Sequence, residues 1–210
     1  MAAEPSLRPG ADGRPRCWWA TGPPEYVGYH DGEWGRPVLE DRALYERLCL
    51  EAFQSGLSWL TILRKRESFR AAFAAFEISR VAAFGEADLK RLLADEGIVR
   101  NRAKVEATIE NARATLRLRA AGGSLRELIW SFRRQQEATP RSRSDLSSKT
   151  AESAGMAREL KRRGFRFVGP TTAYALMQAC GLVNDHLKGC AVRDEVEEER
   201  EAALASLTKL

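Results

Sequence analysis

The chain contains two histidines, His30 and His186, and each stands at metal-ligand spacing from a cysteine: Cys17-x12-His30 and His186-x3-Cys190. Zinc takes four nitrogen and sulfur ligands in a tetrahedron, and two cysteines with two histidines fill it. A filled set leaves no position for water, so such a metal is structural and would clamp residue 17 to residue 190. The alternative is two buried thiols and two incidental histidines, because the halves lie far apart in sequence. Four protein ligands argue against a zinc hydrolase, and the scattered cysteines argue against an iron–sulfur cluster. Cys49 and Cys180 sit in apolar helical runs and read as core residues.

A carboxylate is the second chemical feature. Leu44, Leu48, Glu51 and Ser55 recur at i, i+4, i+7 and i+11, so Glu51 continues an apolar helical stripe. A carboxylate on a buried face needs a partner or has a task. A helix-end glutamate turned to solvent is the competing reading. Asp41 is suited to cap this helix over about 42–54, and Gly56 ends it. Upstream, residues 17–38 hold Cys17, Trp18, Trp19, Tyr26, Tyr29, His30 and Trp34 among Pro and Gly. The pattern suggests a packed irregular segment lining something, or an aromatic core at the metal end.

The third feature is GFRFVGPTT at 164–172. Gly164 and Gly169 permit positive φ, and Pro170 fits a first helical position. Phe165, Phe167 and Val168 are expected to anchor the turn inside. Free N–H groups of the turn and of the following helix form an anion site that suits phosphate. An ordinary tight turn between helices would look similar. Arg158, Lys161, Arg162, Arg163 and Arg166 supply the countercharge that favours phosphate contact.

The elements that must position these groups are helices. Further helical runs are expected at about 57–75, 87–95, 101–121, 124–136, 150–163 and 170–181, with no convincing strand pattern, so the fold class is all-α. Residues 95–105 suggest another short hairpin, with Arg100, Arg102 and Lys104 exposed, and 137–149 a polar loop. Residues 1–16 are rich in Pro, Gly and Arg and read as a disordered arm. Residues 17–190 read as one domain of two helical lobes. Residues 191–210 form an acidic tail, either helical or frayed, whose Glu run suggests a solvated surface.

The chain has 210 residues and a net charge of +5. Because the tail is net acidic, the body is more basic than this total, which suits a polyanionic partner. No apolar run reaches the length of a membrane span, and the N-terminus lacks the apolar region of a secretory signal. Four cysteines without an export signal fit a reducing cytoplasm.

With these residues in view, the chain resembles the helix-hairpin-helix DNA glycosylases, and among them the DNA-3-methyladenine glycosylase I family. The matching stretches are CWW at 17–19, Y-x2-YHDGEWG from Tyr26 to Gly35, LCLEAFQSGLSW from Leu48 to Trp59, and RGFRFVGPTTAYALMQACGLVNDH from Arg163 to His186. Trp18 departs from the small residue expected there, as do the long N-terminal arm and the acidic tail. The resemblance implies a zinc site of Cys17, His30, His186 and Cys190 that joins the N- and C-terminal segments. It implies that Glu51 is the catalytic, base-reading residue and that Trp19, Tyr26, Tyr29, Trp34 and Trp59 line the base pocket. The Ser55–Leu57 turn, with Gly56 and Leu57, would fill the gap left by an extruded base. Gly164, Arg166, Gly169, Thr171 and Thr172 would contact the DNA backbone. Asp185, beside a ligand, stays open between a catalytic and a supporting role.

The expected activity is hydrolytic excision of 3-methyladenine from alkylated double-stranded DNA by a monomer, leaving an abasic site. No lysine lies within 48–59 to suggest a Schiff-base lyase. The alternative is a non-catalytic, zinc-stabilised module that binds damaged DNA.

Overall fold

The computed structural model describes residues 6–133 and 138–207, and the chain divides into two compact units. The first five residues of the expected arm, the end of the expected 124–136 helix and the last three residues of the acidic tail lie outside the described residues.

The first unit is assembled from three stretches: Met1–Val38, Arg133–Ser148 and Met177–Leu210. It opens with an antiparallel hairpin of β1 (Leu7–Pro9) and β2 (Pro15–Cys17), in which Leu7 pairs with Cys17 and Arg8 with Arg16. The expectation of an irregular arm without strands is therefore corrected for residues 6–16. The physical reason is Arg16: it is 3% exposed, and its guanidinium binds Asp12 within the hairpin and Asp31 beyond it. Composition alone hides such a pairing.

Residues 17–38 also contain a regular element. Helix α1 (Pro24–Gly32) starts on Pro24, where a missing N–H costs nothing. It shows no apolar stripe because its aromatic residues serve different neighbours. Of the two forms open to the acidic tail, the described residues take the helical one, and its glutamates stay largely at the surface. Helix α10 (Arg193–Leu207) buries Val196 and Arg200. The Arg200 guanidinium donates to the carbonyls of Gly181 and Leu182 at 2.7 and 3.0 Å, and Glu197 accepts from Asn184 at 2.7 Å. Arg36 bridges Glu195 and Glu199. The Glu run thus holds the loop that leads to His186.

The second unit comprises Leu39–Phe132 and Lys149–Leu176. Its helices are α2 (Asp41–Gln54), α3 (Trp59–Ala72), α4 (Ile78–Ala82), α5 (Glu86–Ala94), α6 (Arg102–Ala120), α7 (Leu125–Trp130) and α8 (Ala151–Arg162), followed by the start of α9 (Pro170–Ala179). Helix α6 packs against α2, α4, α5 and α7. Phe53, Phe69, Phe73 and Phe76 fill the core, with Phe53 and Phe69 ring centroids 4.5 Å apart. Asp41 does not cap α2; it accepts from the Arg126 amide at 2.9 Å and from Arg119 at 3.0 Å. The 124–136 run is helical only over Leu125–Trp130 among the described residues.

Candidate functional site

In the first unit the four metal-ligand candidates come together. The ligand atoms of Cys17, His30, His186 and Cys190 lie within 4.8 Å of one another, and all four residues are buried. His30 Nε2 and His186 Nδ1 are 3.2 Å apart, and each is 3.5 Å from Cys190 Sγ. A tetrahedron with bonds of about 2.05 Å to nitrogen and about 2.3 Å to sulfur has edges of roughly 3.3–3.8 Å. The three distances among His30, His186 and Cys190 lie close to these dimensions.

Hydrogen bonds on the far side of each ring fit the same reading. His30 Nδ1 lies 2.7 Å from Asp31 Oδ1, and His186 Nε2 lies 3.0 Å from the Trp34 carbonyl. With those nitrogens as donors, the lone pairs of the inner nitrogens converge on one point. Burial pushes the Asp31 carboxyl up, but Arg16 and His30 outweigh it and hold the pKa below the usual range. Hydrogen bonding to Cys190 and burial push the Cys17 thiol up, while hydrogen bonding to Cys17, then to His186 and His30, holds Cys190 below the usual thiol range against burial. A dication at the centre would displace the remaining thiol proton. The donor set, its geometry and its outer hydrogen bonds therefore fit a tetrahedral metal.

Trp19 is the hub of the aromatic segment. Its ring meets Trp34 edge-on at 5.0 Å, Tyr26 edge-on at 5.8 Å and Tyr29 at 6.4 Å. Tyr29 and Trp34 are buried, and Trp34 stacks on His30 at 6.2 Å with 19° between planes. Trp19 and Tyr26 are half-buried and keep open surface. Trp18 packs on the cysteine cluster beneath the Arg143 guanidinium, 5.4 Å from its ring.

Glu51 belongs to the second unit, on α2, and is 5% exposed. Burial raises its carboxyl to about 8, against the attraction of Arg47 one turn earlier. Hydrogen bonding plays no part in that shift. After α2 the chain turns at Gly56, at φ +82°, and presents Leu57 with 42% exposure. Ser58 caps α3 by accepting from the Thr61 amide, and Trp59 is buried.

Lys104 corrects an expectation. It is buried, not exposed, and burial lowers its pKa. Its ammonium donates to the carbonyls of Phe53 and Ser55 at 2.9 and 2.6 Å, at the carbonyl-rich end of α2. Asn111 on the same helix is fully buried. Its side chain accepts from the Arg166 amide at 2.7 Å and donates to the Arg166 carbonyl at 3.2 Å. Lys104, Thr108, Asn111 and Thr115 recur at i, i+4, i+7 and i+11 on a buried face, and a stripe of polar residues does not announce such burial in the sequence.

The 164–169 turn differs in detail from expectation. Gly164 has φ +88°, and Phe165 and Val168 are buried. Gly169 does not adopt a left-handed φ; Phe167 does, at +57°, and it is 39% exposed rather than an inner anchor. Leaving the left-handed conformation to Phe167 turns its ring out while its neighbours anchor the turn. Arg166 and Thr171 are exposed, and Thr172 is half-buried. Arg162 and Arg163 pair with Glu159 at 2.7 and 2.6 Å, which reduces the countercharge anticipated there.

A family model described as methyladenine glycosylase matches residues 19–194. The chain is 46% identical over 177 residues to DNA-3-methyladenine glycosylase 1 of Escherichia coli (strain K12), covering 83% of this chain and 95% of that protein. A crystal structure of 3-methyladenine DNA glycosylase I superposes with a TM-score of 0.81 at 47% identity, covering 84% of this chain and 98% of the other. A variant of 3-methyladenine DNA glycosylase I in complex with 3-methyladenine gives a TM-score of 0.80 at 35% identity, covering 85% and 97%. Among the described residues no helix is long and apolar enough to cross a membrane.

Proposed function

The chain belongs to the methyladenine glycosylase family, and from that premise we propose that it excises 3-methyladenine from alkylated duplex DNA with Glu51 as the residue that senses the charge of the base. Alkylation at N3 makes adenine cationic, so the base is already a good leaving group. The C1′–N bond breaks with its electron pair passing to the base, which departs neutral. Water supplies the new C1′–O bond and gives up a proton. The protein therefore has chiefly to extrude, orient and discriminate.

The observation that carries this reading is the burial of Glu51, which raises its carboxyl to about 8. A cationic base in reach of the carboxyl makes ionisation favourable and gains an ion pair. Neutral adenine offers no such gain, and its extrusion costs more because it stays better stacked. The rings of Trp19, Tyr26, Tyr29, Trp34 and Trp59 are assigned to the base, where aromatic faces attract a cation by about 0.5–2 kcal/mol each. Trp19 and Tyr26, with open surface, are the better placed of the first unit's four for direct stacking. Leu57 is assigned to the vacated position in the duplex. The turn at 164–169, with Arg166, Thr171 and Thr172, is assigned to phosphate as a helix-hairpin-helix.

Cys17, His30, His186 and Cys190 would hold a structural zinc that fixes their segments, and it takes no part in bond cleavage. Asp185 accepts from Gln178 at 2.7 Å beside the ligand His186, which supports a holding role for it. The protein is assigned as a cytoplasmic monomer with no lyase step.

Incubation with methylated duplex DNA, followed by identification of the freed base, tests the proposal. The wild type is expected to release 3-methyladenine. Glu51→Gln is expected to fold and to keep its metal, with release slowed on the order of 100-fold or more. Release at the wild-type rate would remove Glu51 from the mechanism.

A further inference from the structure

Two exposed loops of the second unit carry the DNA assignments: the Ser55–Leu57 turn and the hairpin around Arg166. Each is tied through its backbone to a buried polar side chain of α6. The Lys104 ammonium holds the carbonyls of Phe53 and Ser55. The Asn111 carboxamide holds both the amide and the carbonyl of Arg166, a residue 55 positions away in the chain.

We infer that α6 is the positioning element for both DNA-contacting loops of this unit, with Lys104 setting the turn that presents Leu57 and Asn111 setting the hairpin that presents Arg166. The inference rests on the functional assignment of those loops.

The geometry is economical. Lys104 and Asn111 are seven residues apart, so they lie on one face of α6 about 10 Å apart along its axis. Threonine hydroxyls on that face are satisfied within the helix, and the face is tied to α2. Thr108 donates to the Lys104 carbonyl at 3.0 Å, and its own carbonyl accepts from Tyr45 on α2 at 2.8 Å. Thr115 donates to the Asn111 carbonyl at 2.8 Å. A helix is stiff over two turns, so both loops are referred to one rigid body. Buried polar side chains cost stability unless fully bonded. An apolar face would pack α6 as well, so the polar identity is explained by what the face holds. Lys104 is not assigned chemistry: its ammonium is committed to two carbonyls.

The two clamps separate experimentally. In Lys104→Met the stem remains and the donors go, so the Leu57 turn loosens while the hairpin stays. Single-turnover base release is expected to fall about tenfold, with affinity for undamaged duplex unchanged. In Asn111→Leu the hairpin loosens. Affinity for undamaged duplex is expected to fall about tenfold, with the release rate at saturating protein nearly kept. Lys104→Arg restores a donor and is expected to recover much of the loss.

Hydrogen exchange gives a readout independent of activity. The Leu57 amide, bonded to the Gln54 carbonyl at 2.7 Å, is expected to exchange at least tenfold faster in Lys104→Met and near the wild-type rate in Lys104→Arg. Unchanged Leu57 protection in Lys104→Met overturns the inference. So do equal losses of rate and affinity in Lys104→Met and Asn111→Leu, because general destabilisation would then suffice. A wild-type protein that releases no base would instead sink the functional reading, and the exchange result would still decide the role of Lys104.

Discussion

At the residue scale, burial decides where one proton sits. The Glu51 carboxyl would ionise near 4.5 in an unfolded chain and does so near 8 in the folded one. Between those values the folded state binds the proton more tightly, so this group favours folding least at high pH. Its contribution is fully present below about 4.5 and is lost as pH rises through 8. At roughly 1.4 kcal/mol per tenfold change in proton affinity, the effect reaches at most a few kcal/mol. Glu51→Gln cannot titrate. Its melting temperature relative to wild type is therefore expected to rise between pH 5 and pH 8 and to level off above, other groups cancelling in the difference. A flat difference over that range would mean that the buried site accepts the carboxylate without penalty, and the charge-sensing account would lose its basis. The burial of Glu51 was half legible in the sequence: Leu44 and Leu48 precede it on the stripe, but Ser55 follows and a solvent-facing helix end stayed open. The burial of Lys104 was not legible: a lysine between Arg102 and Glu106 looks like surface, and the two carbonyls that hold it belong to a distant helix.

At the element scale the hairpin after α8 gives a sharp contrast between two glycines. Gly164 has φ +88°, and a Cβ there would stand 2.9 Å from Arg117 Nη2. Gly169 has an ordinary φ, and a methyl group added there would meet nothing within 4 Å. Gly164→Ala is expected to cost about 1–2 kcal/mol, whereas Gly169→Ala is expected to lie within about 0.5 kcal/mol of wild type. Chemical denaturation of both variants checks this, and equal losses would show that the turn is held otherwise than described. The sequence announced a turn here because two glycines and a proline bracket it. It could not say which residue takes the left-handed conformation, since the Asn111 clamp on Arg166 helps to fix the backbone. The same limit explains α1 and α10. Periodicity detects helices that bury one apolar face, as α5 and α8 do. Helix α1 divides its rings between the Cys–His cluster and open surface and so escapes such a reading, and α10, held largely by ion pairs and by a buried arginine, left helix and frayed chain both open.

At the scale of the whole molecule, the two units differ in what holds them together. The second is built on a phenylalanine core and on helices adjacent in the chain. The first gathers three separated stretches, and its ligand set joins Cys17 and His30 to His186 and Cys190 across more than 150 residues. Closing so long a loop is entropically costly, and the proposed zinc, bound only in the folded state, would offset that cost through its own binding free energy. The spacing of two Cys–His pairs raised the convergence of these four residues as one of two readings, and the structure brings them together, whereas Arg16 and Asp31, which orient His30 from outside, gave no such sign. Removal of the metal by a strong chelator under reducing conditions is expected to lower the melting temperature by more than about 10 °C, because several kcal/mol translate at about 2–4 °C each in a chain of this size. The loss is expected to be uneven. Cys17 and Cys190 would become reactive to a thiol reagent, while Cys49, buried in the second unit's core, would stay protected until that core melts. Simultaneous exposure of Cys49 with Cys17 and Cys190 at the first transition would show instead that one cooperative structure spans the chain and that the metal stabilises all of it.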